Sequence, residues 1–175
     1  MHKLRDAPGK AEADLRKQLE DIAGNDKVYV LGLGNVDRAD DGAGVLVALA
    51  LKKLFPSYSY SEHDGVEGVV LDISEKEGHA TVLFVDASDM KQRPGAVRIV
   101  RKEDIRETEV STHRVAVALM ASVLEASDKS SAVVCIQPSN IEFRGEVSGP
   151  VIETINTLVR ILEELIRKNN TPTGR

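Results

Sequence analysis

The chain has 175 residues and 42% of them are hydrophobic, which is enough for a single domain with a substantial core. Its formal net charge of -5 argues against a nucleic-acid partner, and no stretch approaches the roughly 18 consecutive apolar residues of a membrane span. The polar N-terminus lacks the apolar segment of a signal peptide and Cys135 is the one cysteine, so we expect a cytoplasmic protein, taken to be a monomer, without an internal disulfide.

The first predicted element is a helix within residues 8–26, where apolar side chains recur at helical spacing. Gly24 follows the last of these side chains and is predicted to end the helix. We therefore expect a single domain over residues 1–175, in which residues 1–25 add a helix to the main part at residues 26–170.

Strands and helices alternate along the rest of the chain, and the uniformly apolar strands are typical of a parallel sheet covered by helices on both faces. The strand predicted at residues 96–100 follows its predecessor across a short turn, Arg93-Pro94-Gly95, so it should run antiparallel at an edge. The predicted fold is α/β, a three-layer sandwich around a mostly parallel, twisted sheet of about five strands. Strands are predicted at residues 28–33, 58–62, 80–85, 96–100 and 132–136, and the later helices at 42–55, 66–76, 113–126 and 150–168.

Three polar clusters lie where these strands end or where a helix begins. Residues 32–44 follow the first strand, residues 86–89 follow the third, and Ser111-Thr112-His113 opens a helix after the antiparallel strand. Since open α/β sheets bind ligands beyond the carboxyl ends of their strands, these clusters locate the candidate site.

The first cluster has the glycines of a phosphate-binding loop but the wrong charge for one. Gly32 and Gly34 fit the fingerprint Gly-x-Gly-x-x-Gly of dinucleotide-binding folds, whereas Asp37 occupies its last position. Asp40 and Asp41 place two more carboxylates where a pyrophosphate would lie, and like charges repel. The sequence also lacks the Gly-Lys-Ser/Thr of a P-loop, so nucleotide binding is not expected.

The same carboxylates can be interpreted as metal ligands. Capping of a helix that begins at Gly42 would account for Asp40 or Asp41, but not for Asp86 at the end of a buried strand or for His113 at another helix start. Asp41, Asp86 and His113 together supply two carboxylates and one imidazole, a set that suits a divalent transition metal with open coordination positions.

Other polar residues have simpler interpretations. Cys135 lies within a wholly apolar strand and is expected to be a buried core thiol. His63, at the end of the second strand, could line the cleft but is more simply a surface residue. Three cations on the predicted edge strand would protect that edge from aggregation, namely Arg98, Arg101 and Lys102.

Taken together, the motifs resemble those of the nickel-iron hydrogenase maturation endopeptidases, with HycI as the most similar subgroup. The first loop, Gly32-Leu33-Gly34-Asn35 with Asp40-Asp41-Gly42, is similar to the opening motif of that family. Further motifs match in the same order along residues 28–159, and several co-linear motifs make the resemblance specific. They are Asp64-Gly65, Val85-Asp86-Ala87-Ser88-Asp89-Met90, Ser111-Thr112-His113 and Ile136-Gln137-Pro138.

The resemblance implies a peptidase, of aspartic or metal-dependent type, that removes a C-terminal extension from the precursor of a hydrogenase large subunit after nickel insertion. It assigns the metal contacts of the family to Asp41, Asp86 and His113. Nickel is then supplied by the precursor, which is the implied partner, and no tightly bound organic cofactor is expected. Asp40 and Asp89 are reserve candidates for activating water, although capping is the simpler role for each.

Two alternative functions stay open. A non-enzymatic maturation factor on the same fold would bind nickel or the precursor without hydrolysis, because a fold does not determine a function. A hydrolase with another substrate is the second alternative, and recognition of a nickel-loaded precursor distinguishes all three. The segment up to Asn25 lies outside the resemblance and is either a packing element or a docking surface.

Overall fold

A computed structural model describes the backbone of residues 9–104 and 112–171, and their side chains except those of residues 112–114. The strands are β1 Lys27–Gly32, β2 Ser59–Ser61, β3 Ala80–Ala87, β4 Val97–Arg101 and β5 Ser130–Ile136. The α-helices are α1 Lys10–Ala23, α2 Ala43–Lys52, α3 Val66–Ser74, α4 Thr112–Ala126 and α5 Gly149–Asn170. Short 3-10 helices span Ala39–Gly42, Glu62–Asp64 and Lys102–Asp104.

The five strands form one sheet in the order β2-β1-β3-β5-β4. β1 pairs in parallel with β2 and β3, and β3 pairs in parallel with β5. β4 is antiparallel to β5 at the edge, with Val97 opposite Ile136. This confirms the predicted mostly parallel sheet with one antiparallel edge strand. β4 is antiparallel because the short connection from β3 to β4 leaves no room for a parallel crossover.

Helices on both faces of the sheet enclose two apolar cores. One core lies under α1, α2 and α5, and the other lies under α3 and α4. β3 is central and covered on both faces, so all eight of its residues are buried. That double burial explains why the sequence of this strand is almost uniformly apolar.

Several predicted boundaries are wrong by one to three residues, and two of them have an identifiable local cause. The helix expected at residues 42–55 is a 3-10 turn followed by α2, which ends at Lys52, because the residue before Pro56 is disfavoured in helical geometry. β2 ends at Ser61 because the Asp64 carboxylate accepts hydrogen bonds from the backbone N–H of Ser61 at 2.8 Å and from its hydroxyl, which turns the chain into a 3-10 helix.

α1 is attached to the domain by apolar contacts and by ion pairs with α5. Leu19 is fully buried in the core beneath α2 and α5. Arg16 pairs with Glu164, and Arg160 pairs with Glu12 at 2.7 Å. α1 ends at Gly24, whose φ of +51° is in the left-handed region, as the sequence predicts. None of the helices in the described ranges has the length and apolar composition needed to cross a bilayer.

Candidate active site

The strand order reverses between β1 and β3, and at such a reversal an open α/β sheet leaves a crevice beyond the carboxyl ends of its strands. The chain leaves β1 through α2 to reach β2 on one side, and it then passes through α3 on the opposite face to reach β3 on the other side of β1. Such a reversal of strand order is where open α/β sheets bind ligands. Asp41 follows β1 and Asp86 is near the end of β3, so both border this crevice.

The loop after β1 folds back so that Asp41 lies beside the start of α2. Gly34 has a φ of +120°, and a Cβ at this position would lie 1.9 Å from the Asp41 carbonyl oxygen, so the turn requires glycine. The Asp41 carboxylate accepts a hydrogen bond from the Asn35 N–H at 3.0 Å, and the side chain stays partly exposed. The predicted capping of α2 by an aspartate is wrong, since Gly42 is its N-cap and no side chain bonds there.

Asp86 belongs to β3 itself, because the strand runs two residues further than predicted. It lies opposite Cys135 of β5 and is 2% exposed. Its Oδ2 atom accepts a hydrogen bond from the Ser88 hydroxyl at 3.4 Å. Asp86 is two residues after Phe84 on β3, and residues two apart on a strand share a face. Its carboxylate therefore lies on the same face as Phe84, which belongs to the core under α3 and α4. Burying a carboxylate is costly unless it has polar partners, and such positions are common in functional sites.

His113 is the second residue of α4, one turn before Val117. Val117 is buried in the core under α3 and α4, so the start of this helix lies on the same face of the sheet as Asp86. The His113 side chain and Ser111 lie outside the described residues, and the contacts predicted for them stay predictions. Among the described side chains, which do not include His113, no three histidine, cysteine, aspartate or glutamate residues form a metal-binding group.

Asp40 joins three segments at the same edge. Its carboxylate is fully buried and accepts hydrogen bonds from the backbone N–H groups of Ser139, Asn140 and Ser148 at 2.7–2.9 Å. It also accepts one from the Ser148 hydroxyl at 2.8 Å. Burial alone would raise the pKa of Asp40, but these four donors outweigh it and lower the pKa below its usual range. The partners are 99 to 108 residues away in sequence, so no local pattern could have predicted this role.

Gln137, which directly follows β5, holds the loop after β3. It is 6% exposed, and its carboxamide oxygen accepts a hydrogen bond from the Met90 N–H at 2.7 Å. Its amide nitrogen donates to the Asp89 carboxylate at 3.2 Å. The pKa of Asp89 is lowered to about 2, chiefly by the hydrogen bond from the Lys91 side chain. The bonds from the Lys91 backbone and from Gln137 lower it further. Asp89 is exposed and ionised, and its carboxylate is bound to Lys91 and Gln137 of the neighbouring loops.

The structure also locates Cys135, His63 and Ser148. Cys135 is buried in the core, as predicted. His63 is exposed in the 3-10 helix after β2, in agreement with a surface role. Ser148 is the N-cap residue of α5, but its hydroxyl bonds Asp40 instead of a helix N–H. The described site is therefore a crevice with Asp41 in the 3-10 helix after β1 and Asp86 near the end of β3, and carboxylates there can bind a cation or accept a proton from water.

Comparison with known proteins gives a consistent result. The family model described as hydrogenase maturation protease, HycI, matches residues 67–165. The hydrogenase 3 maturation protease of Escherichia coli K12 is 30% identical over 137 residues, which cover 77% of this chain and 87% of the relative.

Solved structures show the same fold. The crystal structure of a nickel-iron hydrogenase maturation protease HycI from Thermococcus kodakarensis KOD1 matches with a TM-score of 0.70 and 26% identity, over 86% of this chain and 99% of that one. The hydrogenase maturating endopeptidase HybD from Escherichia coli matches with a TM-score of 0.63 and 19% identity, over 81% and 93% of the two chains, which is a likeness of fold.

Proposed function

Because the chain belongs to the family of hydrogenase maturation proteases, we propose that it removes the C-terminal extension from the precursor of a nickel-iron hydrogenase large subunit after nickel insertion. The precursor is then both substrate and partner, and the nickel that it carries is the element recognised. We propose that this processing takes place in the cytoplasm and that the chain acts as a monomer.

The observation that supports this proposal most is the pair of carboxylates at the crevice between β1 and β3. Asp41 comes from the 3-10 helix that follows β1, and Asp86 comes from the end of β3. Carboxylate oxygens and an imidazole are ligands that Ni²⁺ accepts in open, incomplete sites. Asp41, Asp86 and His113 are therefore the residues that we assign to the nickel of the precursor.

A metal carried by the substrate explains how one cleft can test for completed metallation. Nickel held by the precursor fixes the position of the segment to be cut, so that only a loaded precursor presents its peptide bond at the crevice. A tight nickel site belonging to the protease alone would defeat this test, since the metal would be present whether or not the precursor was loaded.

Hydrolysis itself requires a water molecule activated near the peptide carbonyl. A carboxylate at the crevice accepts the proton of that water, and the metal polarises the reacting oxygen. Asp41 is partly exposed and close to the loop surface, so a substrate and a water molecule can reach it. Asp86 is buried and holds a fixed orientation on β3, which suits a metal contact.

The test is the intact mass of purified large-subunit precursors after incubation with the protein, each precursor prepared nickel-loaded and nickel-free. We expect loss of the C-terminal extension only from the nickel-loaded precursor. Cleavage regardless of nickel would retain the peptidase and contradict metal recognition. If no verified, metallated precursor from the same cell is cut, the protein is a binding factor instead of an enzyme.

The same assay applied to Asp41→Asn, Asp86→Asn and His113→Ala should give no cleavage while each variant keeps a cooperative unfolding transition. Asp89→Asn is the matched control, because this exposed carboxylate lies at the same edge but is bound to Lys91 and Gln137. The control should process the precursor at close to the wild-type rate. Normal cleavage by any of the three site variants would remove that residue from the proposed site.

A further inference from the structure

Three large apolar side chains are exposed on two adjacent loops beside the crevice. Phe143 is 66% exposed and Ile141 is 50% exposed, both on the loop between β5 and α5. Val36 is 40% exposed on the loop after β1. We call these three residues the apolar rim. Single exposed apolar residues are ordinary, but a group of them beside a functional crevice marks an interaction surface.

The exposure of Phe143 is notable because this chain has few aromatic residues. It contains three phenylalanines and no tryptophan. Phe84 is fully buried and Phe55 packs against the core under α2 and α5, so Phe143 is the one left largely in solvent. Aromatic side chains are enriched at the centres of protein interfaces, where they fill pockets of the partner.

A rigid turn presents Phe143. The Gly145 N–H donates to the Glu142 carbonyl at 3.1 Å, so Phe143 and Arg144 are the central residues of a β-turn. Arg144 has a φ of +59°, and its guanidinium carbon lies 5.3 Å from the centre of the Phe143 ring. The Asn140 side chain accepts a bond from the Glu142 N–H at 2.9 Å, which fixes the start of the turn. A preorganised side chain loses little entropy when a partner binds it.

The rim is joined to the loop that carries Asp41. The Arg144 N–H donates to the Asp37 carbonyl at 2.7 Å, and the Asp40 N–H donates to the Asn140 carbonyl at 2.9 Å. Val36 follows the residue whose N–H bonds the Asp41 carboxylate, and a Cβ at Gly42 would lie 2.7 Å from the Val36 Cα. The loops that carry the apolar rim are therefore hydrogen-bonded to the loop that carries Asp41 and lie beside it.

We propose that the apolar rim is the docking surface for the body of the precursor, and that it binds an apolar patch of the folded large subunit next to the segment to be cut. This inference rests on the proposed function, which requires a protein substrate to enter the crevice at Asp41. Because the loops of the rim are hydrogen-bonded to the loop of Asp41, a folded protein bound at Asp41 also lies against the rim. Contacts made outside the scissile segment also let the protease select a folded partner instead of any exposed peptide.

The experiment compares initial processing rates over a range of nickel-loaded precursor concentrations. Phe143→Ser, and separately Ile141→Ser, should raise KM about tenfold or more with little change in kcat, since buried interface anchors act on binding. Phe143→Leu keeps an apolar side chain and should restore most of the affinity. Leu54→Ser is the matched control, because Leu54 is 53% exposed just beyond α2, at the opposite end of the sheet.

The outcomes separate the two proposals. If wild-type protein does not cut the metallated precursor, the proposed function fails. If wild-type protein cuts it and Phe143→Ser has a wild-type KM, the docking surface is wrong while the function stands. Sedimentation of wild type and Phe143→Ser tests whether the rim instead binds a second copy of the chain. A wild-type dimer that becomes a monomer in Phe143→Ser, with unchanged KM, would assign the rim to that second copy.

Discussion

Asp40 and Asp41 are adjacent carboxylates with different environments. Asp40 is fully buried and all of its described bonds are with backbone or hydroxyl donors of distant segments. Asp41 is partly exposed and has one such bond, from the Asn35 N–H. A charge that accepts several charge-assisted hydrogen bonds is fixed in place, whereas a partly exposed one can exchange its partners for a metal ion or water. Asp40 therefore has a structural role, whereas Asp41 stays accessible to a ligand.

Asp40→Asn should destabilise the fold by about 2–4 kcal/mol at pH 7, because an amide cannot accept all four hydrogen bonds and places its own donors against N–H groups. The pKa of Asp40 is lowered in the folded state, so its stabilising contribution is present above the unfolded pKa of about 3.9 and is lost as pH falls through the lower folded value.

Urea denaturation of wild type and Asp40→Asn between pH 3 and pH 7 measures this contribution. The difference between the two proteins should shrink as the pH falls below about 4. Asp14→Asn serves as control, since its carboxylate is exposed on α1. A difference between wild type and Asp40→Asn that does not depend on pH would mean that the charge of Asp40 is not what holds the three segments.

The sequence was sufficient to predict Asp41 and Asp86 as site candidates, since each follows or ends an apolar strand and parallel strands bring their carboxyl ends together. It was not sufficient to separate Asp40 from Asp41. Both are aspartates in one glycine-rich loop, and what distinguishes them is a set of donors about a hundred residues away. Contacts of that kind arise from tertiary packing and leave no local signature.

At the scale of elements, the position of the site depends on how closely α2 approaches the sheet. A Cβ at Gly44 would lie 2.0 Å from the Val85 carbonyl oxygen and 2.5 Å from that of Leu33. The Val85 carbonyl already accepts a hydrogen bond from the Leu33 N–H at 2.8 Å. The first turn of α2 therefore rests directly on the ends of β1 and β3, next to Asp86.

Gly44→Ala should lower the free energy of unfolding by about 3 kcal/mol or more, because the added methyl group collides with backbone that cannot move without breaking the ladder between β1 and β3. Gly68→Ala is the matched control in α3, where a Cβ would meet no atom within 4 Å. The control should be stabilised by about 0.5–1 kcal/mol through helix propensity. Equal effects of the two substitutions in urea denaturation would contradict the close approach of α2.

Elements were predictable where a single physical signal dominates. β3 and β5 are buried on both faces, so their apolar runs identify them, and the short connection before β4 determines its direction. β2 and the end of α2 were placed less accurately. The capping box that joins Ser61 to Asp64 ends β2 early, and such side-chain bonds compete with the regular pattern that the sequence displays.

At the scale of the whole molecule, the two cores have different relations to the site. Asp86 lies over the core under α3 and α4, whereas α1 belongs to the core under α2 and α5. Leu19 of α1 is fully buried there, and ion pairs attach α1 to α5. α1 is thus integrated into the fold on the face of the sheet opposite to Asp86, which favours packing over docking as its role.

Leu19→Ala tests this assignment, because it should lower the free energy of unfolding by about 2–5 kcal/mol through loss of buried apolar contact and creation of a cavity. Precursor processing by the folded variant, measured well below its thermal midpoint, should keep the wild-type kcat and KM, since α1 packs on the face of the sheet opposite to Asp86. Lys17→Ala, on the exposed side of the same helix, should leave both stability and processing nearly unchanged, because its pair with Asp21 is exposed to solvent. A raised KM for Lys17→Ala without loss of stability would instead make α1 part of the surface that binds the precursor.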